Sequence, residues 1–276
     1  MVIKCRDRLL DLSKPVVMGI LNLTPDSFYD GGKYSDSAEV IAYTDQMIKN
    51  GASIIDIGGM SSRPGAKYIG SEEELKRILF ITQIIREKYP NIFISVDTIY
   101  AYTARKVLDI GVDIINDISA WTHDPELLQV VADYQAAYIL MHMQGIPASM
   151  QSKPQYNDLI REVFRFFIEK IEKLNNKNVS DVIIDPGFGF GKTVDQNYEL
   201  LEKLSVFRIL EKPILSGLSR KSMFYKLLNI ESKDALPVTA IGNYISLCQG
   251  AKILRVHDIK EAIQAIKIYE KCNLKS

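Results

Sequence analysis

The chain has 276 residues, 47% of them apolar, enough to bury one sizeable core. Lys plus Arg and Asp plus Glu each number 34, so the formal net charge is zero, and neither nucleic acid nor an anionic membrane is expected as a partner. The first 17 residues carry Lys4, Arg6, Asp7, Arg8, Asp11 and Lys14, which leaves no apolar leader, and no apolar run approaches the roughly 18 residues of a membrane span, so a soluble, cytoplasmic chain is expected.

Short apolar runs alternate with helical patterns from end to end. The first run, Met18-Gly19-Ile20-Leu21, leads into Asn22, and Thr24-Pro25-Asp26-Ser27 stops it, because proline lacks a donor and fixes φ. Strands are predicted near 16–21, 53–58, 92–97, 113–118, 137–142, 181–185, 213–217 and 252–256. Between them, Ser71 with Glu74 reads as a capping box ahead of Leu75, Ile78, Leu79, Thr82 and Ile85 at helical spacing, with Pro90 just past the end. A second stripe runs through Leu159, Ile160, Val163, Phe164, Phe167, Ile171 and Leu174 and reads as core. Pro237 begins a further helix, and Asp258 is placed to cap the last one. Gly51, Gly111 and Gly250 each follow a helical stretch and precede a short strand, the position that suits a left-handed helix stop.

Each strand hands over to a polar side chain: Asn22, Asp56, Asp97, Asn116, His142, Asp185, Ser219 and Arg255. Eight parallel strands alternating with helices in a single domain over 1–276 fit an α/β TIM barrel, whose strand C-termini all face one mouth; a doubly wound sheet is the alternative.

Asp97, Asn116, Asp185 and Lys221 form one chemical group. Pro186-Gly187 leaves Asp185 no helix to cap, and a carboxylate there suits a heterocycle with an amino group beside a ring N–H, taken through two charge-assisted hydrogen bonds. Asp117 is assigned mainly to capping the next helix. Arg63, Lys221, Arg255 and His257 form a cationic group. Arg255 and His257 alternate along the last strand and point the same way, which suits a phosphate ester or diphosphate. Gly187-Phe188-Gly189-Phe190-Gly191-Lys192-Thr193 is no nucleotide loop: position 186 is proline where a Walker A needs glycine, and position 192 is lysine where a dinucleotide loop needs glycine. It reads instead as a loop that brings Phe190 over a flat ligand. His142 lacks a histidine or cysteine partner and reads as a hydrogen-bonding group; His123 reads as solvent-facing. Cys5, Cys248 and Cys272 show no ligand spacing and read as reduced thiols.

Taken in order, these motifs make the chain resemble the dihydropteroate synthases, pterin-binding enzymes of folate biosynthesis, from about Val17 to Ile268. The stretches that carry the resemblance are Met18 to Phe28, Ile57 to Gly65, Ser95 to Thr98, Ile115 to Ile118, Met141 to Met143, Asp185 to Lys192, Gly217 to Ser222 and Arg255 to Asp258. The resemblance implies a TIM barrel that joins a dihydropterin diphosphate to p-aminobenzoate, with Mg²⁺ as cofactor, and a homodimer through late helices. It implies that Asp97, Asn116, Met141, Asp185, Phe190, Gly217 and Lys221 hold the pterin. Asn22, Arg63, Arg255 and His257 would hold the diphosphate, with Asn22 also the Mg²⁺ ligand. Phe28, Ser62, Arg63, Pro64, Lys221 and Ser222 would bound the p-aminobenzoate site. Asp97, Asp30, Lys221 and Arg63 would be catalytic, in a dissociative substitution that the cations and Mg²⁺ assist. Many members carry Glu-Ser-Thr where this chain has Met60-Ser61-Ser62, and threonine is frequent where Ile146 stands. Competing readings are the pterin module of a methyltetrahydrofolate–corrinoid methyltransferase, which needs no diphosphate clamp, a non-catalytic paralogue, and a phosphosugar barrel, which would leave Asp185 and Asn116 idle.

Overall fold

The computed structural model describes residues 1–24, 35–61, 68–145, 150 and 154–273. Asp26, Phe28, Asp30, Ser62, Arg63, Pro64 and Ile146, all singled out above, lie outside the described residues.

Eight strands close into a parallel barrel: β3 (Val16–Asn22), β4 (Ile54–Gly58), β5 (Phe93–Asp97), β6 (Ile114–Asp117), β7 (Ala137–Met141), β8 (Val182–Asp185), β9 (Ile214–Ser216) and β10 (Ala251–Val256), with β10 pairing back onto β3. The TIM-barrel expectation holds, and each predicted strand lies within about two residues of its place. Nine α-helices among the described residues connect them: α1 (Ser35–Lys49), α2 (Ser71–Lys88), α3 (Ala101–Asp109), α4 (Glu126–Tyr134), α5 (Leu159–Asn175), α6 (Val194–Glu202), α7 (Ser222–Leu228), α8 (Leu236–Cys248) and α9 (Ile259–Asn273). Gly51, Gly111 and Gly250 have φ of 106°, 95° and 102° at the expected helix stops, a region that costs a residue with a Cβ.

Side-chain alternation sorts each strand into two faces. Val17, Leu21, Ile55, Ile57, Ile94, Val96, Ile115, Leu140, Ile184, Leu254 and Val256 pack outward into the core shared with the helices. Met18, Ile54, Ile114, Ile139, Ile183, Leu215 and Ile253 point inward and fill the lower barrel. Two residues further along the same face lie Asp56, Ser95, Asn116, Asp185, Gly217 and Arg255, with Ile20 and Met141 the apolar exceptions on β3 and β7, so one apolar plug supports a largely polar mouth.

A hairpin that the sequence reading missed, β1 (Val2–Cys5) with β2 (Arg8–Asp11), packs Ile3, Cys5, Leu10 and Leu12 against that plug and closes its lower end. Three capping expectations are corrected. Gly70, not Ser71, precedes α2, and no side chain caps it; Glu74 turns inward instead, where Thr98 Oγ1 donates to it at 2.6 Å. The capping box is at Thr193 and Gln196, opening α6. Asp258 offers only its backbone carbonyl to α9, because Arg220 holds its carboxylate at 2.8 and 2.9 Å. Asp117 caps no helix. It accepts from Ser119 N, Ser119 Oγ, Trp121 N and Tyr138 Oη, and so ties down a turn in which Ala120 and Trp121 have φ near +50°.

Candidate active site

The C-terminal mouth of the barrel gathers side chains far apart in sequence. On β4, Asp56 sits two residues before the strand end, and its carboxylate is buried. Arg255 on β10 reaches across β3 to it. Nε lies 2.7 Å from Asp56 Oδ2, and the Nη2 amino group is 2.6 Å from Asp56 Oδ2 and 3.0 Å from Asp97 Oδ2. Asn116 Nδ2 donates to the same Asp56 oxygen at 3.1 Å. Asp56 Oδ1 and Ser95 Oγ, inward on paired positions of β4 and β5, have no partner among the described residues. The sequence reading sent Arg255 to an anionic ligand. The structure gives it two carboxylates of the protein first, and the two donors on Nη1 make no hydrogen bond among the described residues.

Burial pushes the Asp97 carboxyl up to about 7; Arg255 opposes that shift, and Asp56 adds to it. Arg255 is pushed upward in turn: burial works against its charge, and Asp56 and Asp97 more than offset it. Asn22 ends β3 on the same face. Its Oδ1 lies 3.5 Å from where a Cβ on Gly58 would sit, with Asp97 Cβ at 3.6 Å, so Asn22, Gly58 and Asp97 are neighbours at the rim.

Asp185 ends β8 beside Met141 of β7. It is buried, and Oδ1 accepts from Gly187 N at 2.8 Å, while Oδ2 has no hydrogen bond among the described residues. Burial raises its pKa, and the Gly187 bond, Lys221, Arg255 and Lys192 lower it in that order. The chain after Asp185 passes under His142: a Cβ on Gly187, whose φ is +71°, would come within 1.9 Å of the His142 carbonyl oxygen, so only glycine fits. Lys221 donates to Phe188 O, and its ammonium lies 4.3 Å over the Phe190 ring. Burial pushes that ammonium down to about 8, against the pull of Asp185. A Cβ on Gly217, the residue that follows β9, would meet no atom of the described residues within 4 Å. Met60, Ile99, Ile118 and Met141 form an apolar shelf with Phe190 and Met143. Met60, which the sequence reading left without a role, is packed there as an apolar residue.

His257 lies beyond Arg255 on the same face, with Nδ1 3.0 Å from Ser219 Oγ; Ser219 lies three residues past the end of β9. Ser222 is the first residue of α7, and Lys221 directly precedes it. The structure therefore brings Asp97, Asn116, Met141, Asp185, Phe190, Gly217, Lys221, Asn22, Arg255 and His257 to one mouth. The sequence reading underrated Asp56 and passed over Lys192. Asp56 could have been found as the inward residue two positions before Gly58, whereas nothing local marks Lys192.

No group of three or more His, Cys, Asp or Glu residues able to hold a metal occurs among the described residues. The Asn22 amide oxygen is a hard donor of the kind Mg²⁺ accepts when most of its shell is water and phosphate, so the site fits that ion but not a metal held wholly by protein.

A closed barrel with its polar groups at the strand C-termini defines a TIM-barrel enzyme. Residues 18–257 match the family described as pterin binding enzyme. The dihydropteroate synthase of Escherichia coli strain K12 is 43% identical over 263 residues, covering 95% of this chain and 93% of that protein. A Yersinia pestis dihydropteroate synthase solved with a sulfonamide drug superposes with a TM-score of 0.93 at 39% identity, covering all of both chains. A Xanthomonas albilineans dihydropteroate synthase in complex with 7,8-dihydropteroate gives 0.89 at 32% identity, again covering both chains fully. This chain belongs to the pterin-binding enzyme family.

Proposed function

We propose that the chain is a transferase of the dihydropteroate synthase type. It condenses (7,8-dihydropterin-6-yl)methyl diphosphate with p-aminobenzoate to give 7,8-dihydropteroate and diphosphate. The observation that carries this reading is Asp185: a buried carboxylate with one oxygen held by Gly187 N and the other without a hydrogen bond among the described residues, with Lys221 and Arg255 acting on its charge. Such a carboxylate accepts the paired N–H donors of a 2-amino-4-oxopterin edge. The relatives support the same reading, since they are dihydropteroate synthases and one is solved with 7,8-dihydropteroate.

In the reaction, the C–O bond between the pterin methylene and diphosphate breaks, and its electron pair leaves with diphosphate. The arylamine nitrogen forms the new C–N bond and sheds one proton. The free Nη1 donors of Arg255, with His257 and Lys221, bind the leaving group and stabilise the charge it gains. Asp97 faces the developing positive charge, and Asp185 and Asn116 fix the ring so that the methylene points outward. Phe190 and the apolar shelf exclude water from the carbon. Mg²⁺ held by Asn22 would add positive charge at the diphosphate. By the family resemblance, Phe28, Ser62, Arg63 and Pro64 would bound the p-aminobenzoate side with Lys221 and Ser222, and Asp30 would join Asp97 in stabilising the cation. Sulfonamides would compete for that side, and a cytoplasmic homodimer is part of the same reading. No helix of the described residues is long and apolar enough to cross a membrane. The cations at the mouth argue against a corrinoid methyltransferase module, which has no diphosphate to bind.

Purified protein incubated with the dihydropterin diphosphate, p-aminobenzoate and Mg²⁺ should yield dihydropteroate by mass spectrometry. Absence of product from folded protein that binds both substrates would overturn the reading.

A further inference from the structure

Lys192 is the least expected charge in the molecule. It is 2% exposed, directly behind the loop that follows β8, and no carboxylate bonds it among the described residues. Its Nζ instead lies 2.9 Å from Gly187 O, 3.1 Å from Phe190 O and 3.1 Å from His142 Nδ1. An ammonium has three donors and no acceptor, so three converging acceptors match it and a neutral amine would leave one of them facing a lone pair. His142 Nδ1 must then be the accepting nitrogen. Burial and the Lys192 charge both hold His142 well below its usual pKa, which agrees with a neutral ring.

Gly187 links this charge to the mouth. Its C=O accepts from Lys192, and its N–H donates to Asp185 Oδ1 at 2.8 Å. On the far side Asn197 Oδ1 accepts from Gly189 N at 2.6 Å, and Tyr156 Oη donates to Gly191 O at 2.9 Å, so the loop is fastened at several points. The other cations that act on Asp185 have further commitments. Arg255 shares its charge with Asp56 and Asp97, and Lys221 stands at the mouth where a ligand competes for it. Lys192 is beneath the loop, out of a ligand's reach.

We infer that Lys192 is a positioning residue of the pterin subsite: its buried ammonium pins the Gly187–Phe190 strap, which holds Asp185 through the Gly187 N–H, and adds positive charge beneath that carboxylate. The inference rests on the pterin-binding reading above. Burial brings the Lys192 ammonium down to about 7, so its charge is present on the acid side of that value and fades above it.

The test is the affinity for 6-hydroxymethylpterin, measured by calorimetry from pH 5 to 8, for the wild-type chain and for Lys192→Gln, Lys192→Met and Lys192→Arg. Gln keeps donors for the carbonyls but removes the charge. With Gln and Met, loss of affinity on the acid side should set in about one pH unit higher, roughly tenfold weaker binding on that limb, and Arg should restore the wild-type limb. An offset that is constant with pH, or no change, would show a structural strap only and overturn the inference. If the variants fail to fold, the wild-type Lys192 ammonium and the Asp185 carboxyl can both be followed by ¹³C NMR of labelled protein: Asp185 should show an inflection at the pH where Lys192 itself titrates, and an Asp185 signal unmoved across the Lys192 titration would also overturn the inference. A wild-type chain that binds no pterin would remove the functional reading as well, whereas pterin binding with an unmoved acid limb removes this inference alone.

Discussion

Glu74 illustrates what burial does to a single carboxyl. It is fully buried on α2, its Oε1 has no partner among the described residues, and burial pushes it up to about 7 against the opposing hydrogen bond from Thr98. A carboxyl whose folded pKa is raised favours the folded state below its unfolded pKa, and that stability is lost as pH rises through the folded value. Glu74→Gln removes the loss. Its stability relative to the wild type should therefore rise between pH 4 and pH 8 by about 3 kcal/mol, read from urea midpoints; a difference flat with pH would contradict the assignment. Arg255 works the other way. Arg255→Ala strands Asp56 and Asp97 together without a cation, so a stability loss of about 3–5 kcal/mol should accompany any loss of diphosphate affinity. An unchanged denaturation midpoint would show that the pair is not held as described. Asp185→Asn should weaken pterin binding about a hundredfold, since an amide accepts at only one of the two positions; near-wild-type affinity by calorimetry would remove Asp185 from the pterin site. Asp185, Asn116 and Asp97 were legible in the sequence because each closes an apolar run. The partners of Arg255 were not, because barrel closure, a wholly non-local event, carries β10 round to within reach of β4 and β5.

The strands were legible at the scale of elements because a parallel strand buried on both faces reads as an unbroken apolar run. The β1–β2 hairpin was hidden for the opposite reason: its exposed face carries Val2, Lys4 and Leu9, and its charged residues read as the mark of a non-leader N-terminus. What docks it is equally non-local. Asp113, just before β6, accepts from Arg8 at 3.1 Å, from Arg86 of α2 at 2.5 Å and from Ile94 N at 2.8 Å, while Arg6 donates to Leu108 O at 2.8 Å. Asp113→Ala would leave two guanidinium groups with backbone carbonyls but no carboxylate, and the buried Ile94 N–H without its acceptor. The expected cost is about 3–5 kcal/mol by urea denaturation, and the hairpin amides should lose hydrogen-exchange protection before those of β3. Equal loss across hairpin and barrel would mean that the hairpin does not depend on this anchor. The capping error at Ser71 belongs to the same scale. A Ser-x-x-Glu spacing is satisfied by sequence alone, but Glu74 is worth more turned inward to Thr98 than turned back to the helix start.

One inward side chain from almost every strand meets at a single mouth, so the site is a property of the closed barrel and not of any one segment. A pterin held by β5, β6, β7 and β8 binds only when all four are in register, and it has nothing comparable to bind in the unfolded chain. Its free energy must then appear as stability of the entire barrel. At a pterin concentration about a hundred times Kd, the gain is about 2.7 kcal/mol, which for a chain of this size moves the thermal midpoint by roughly 5–10 °C. The same ligand should raise exchange protection in β3 and β4, which do not supply pterin contacts, as much as in β6 and β8, because the slowest amides of all four exchange through one global opening. Protection confined to β5, β6, β7 and β8 would show that the mouth can open locally. Cooperative closure of the barrel would then not be what holds Asp185 and Arg255 in place around the ligand.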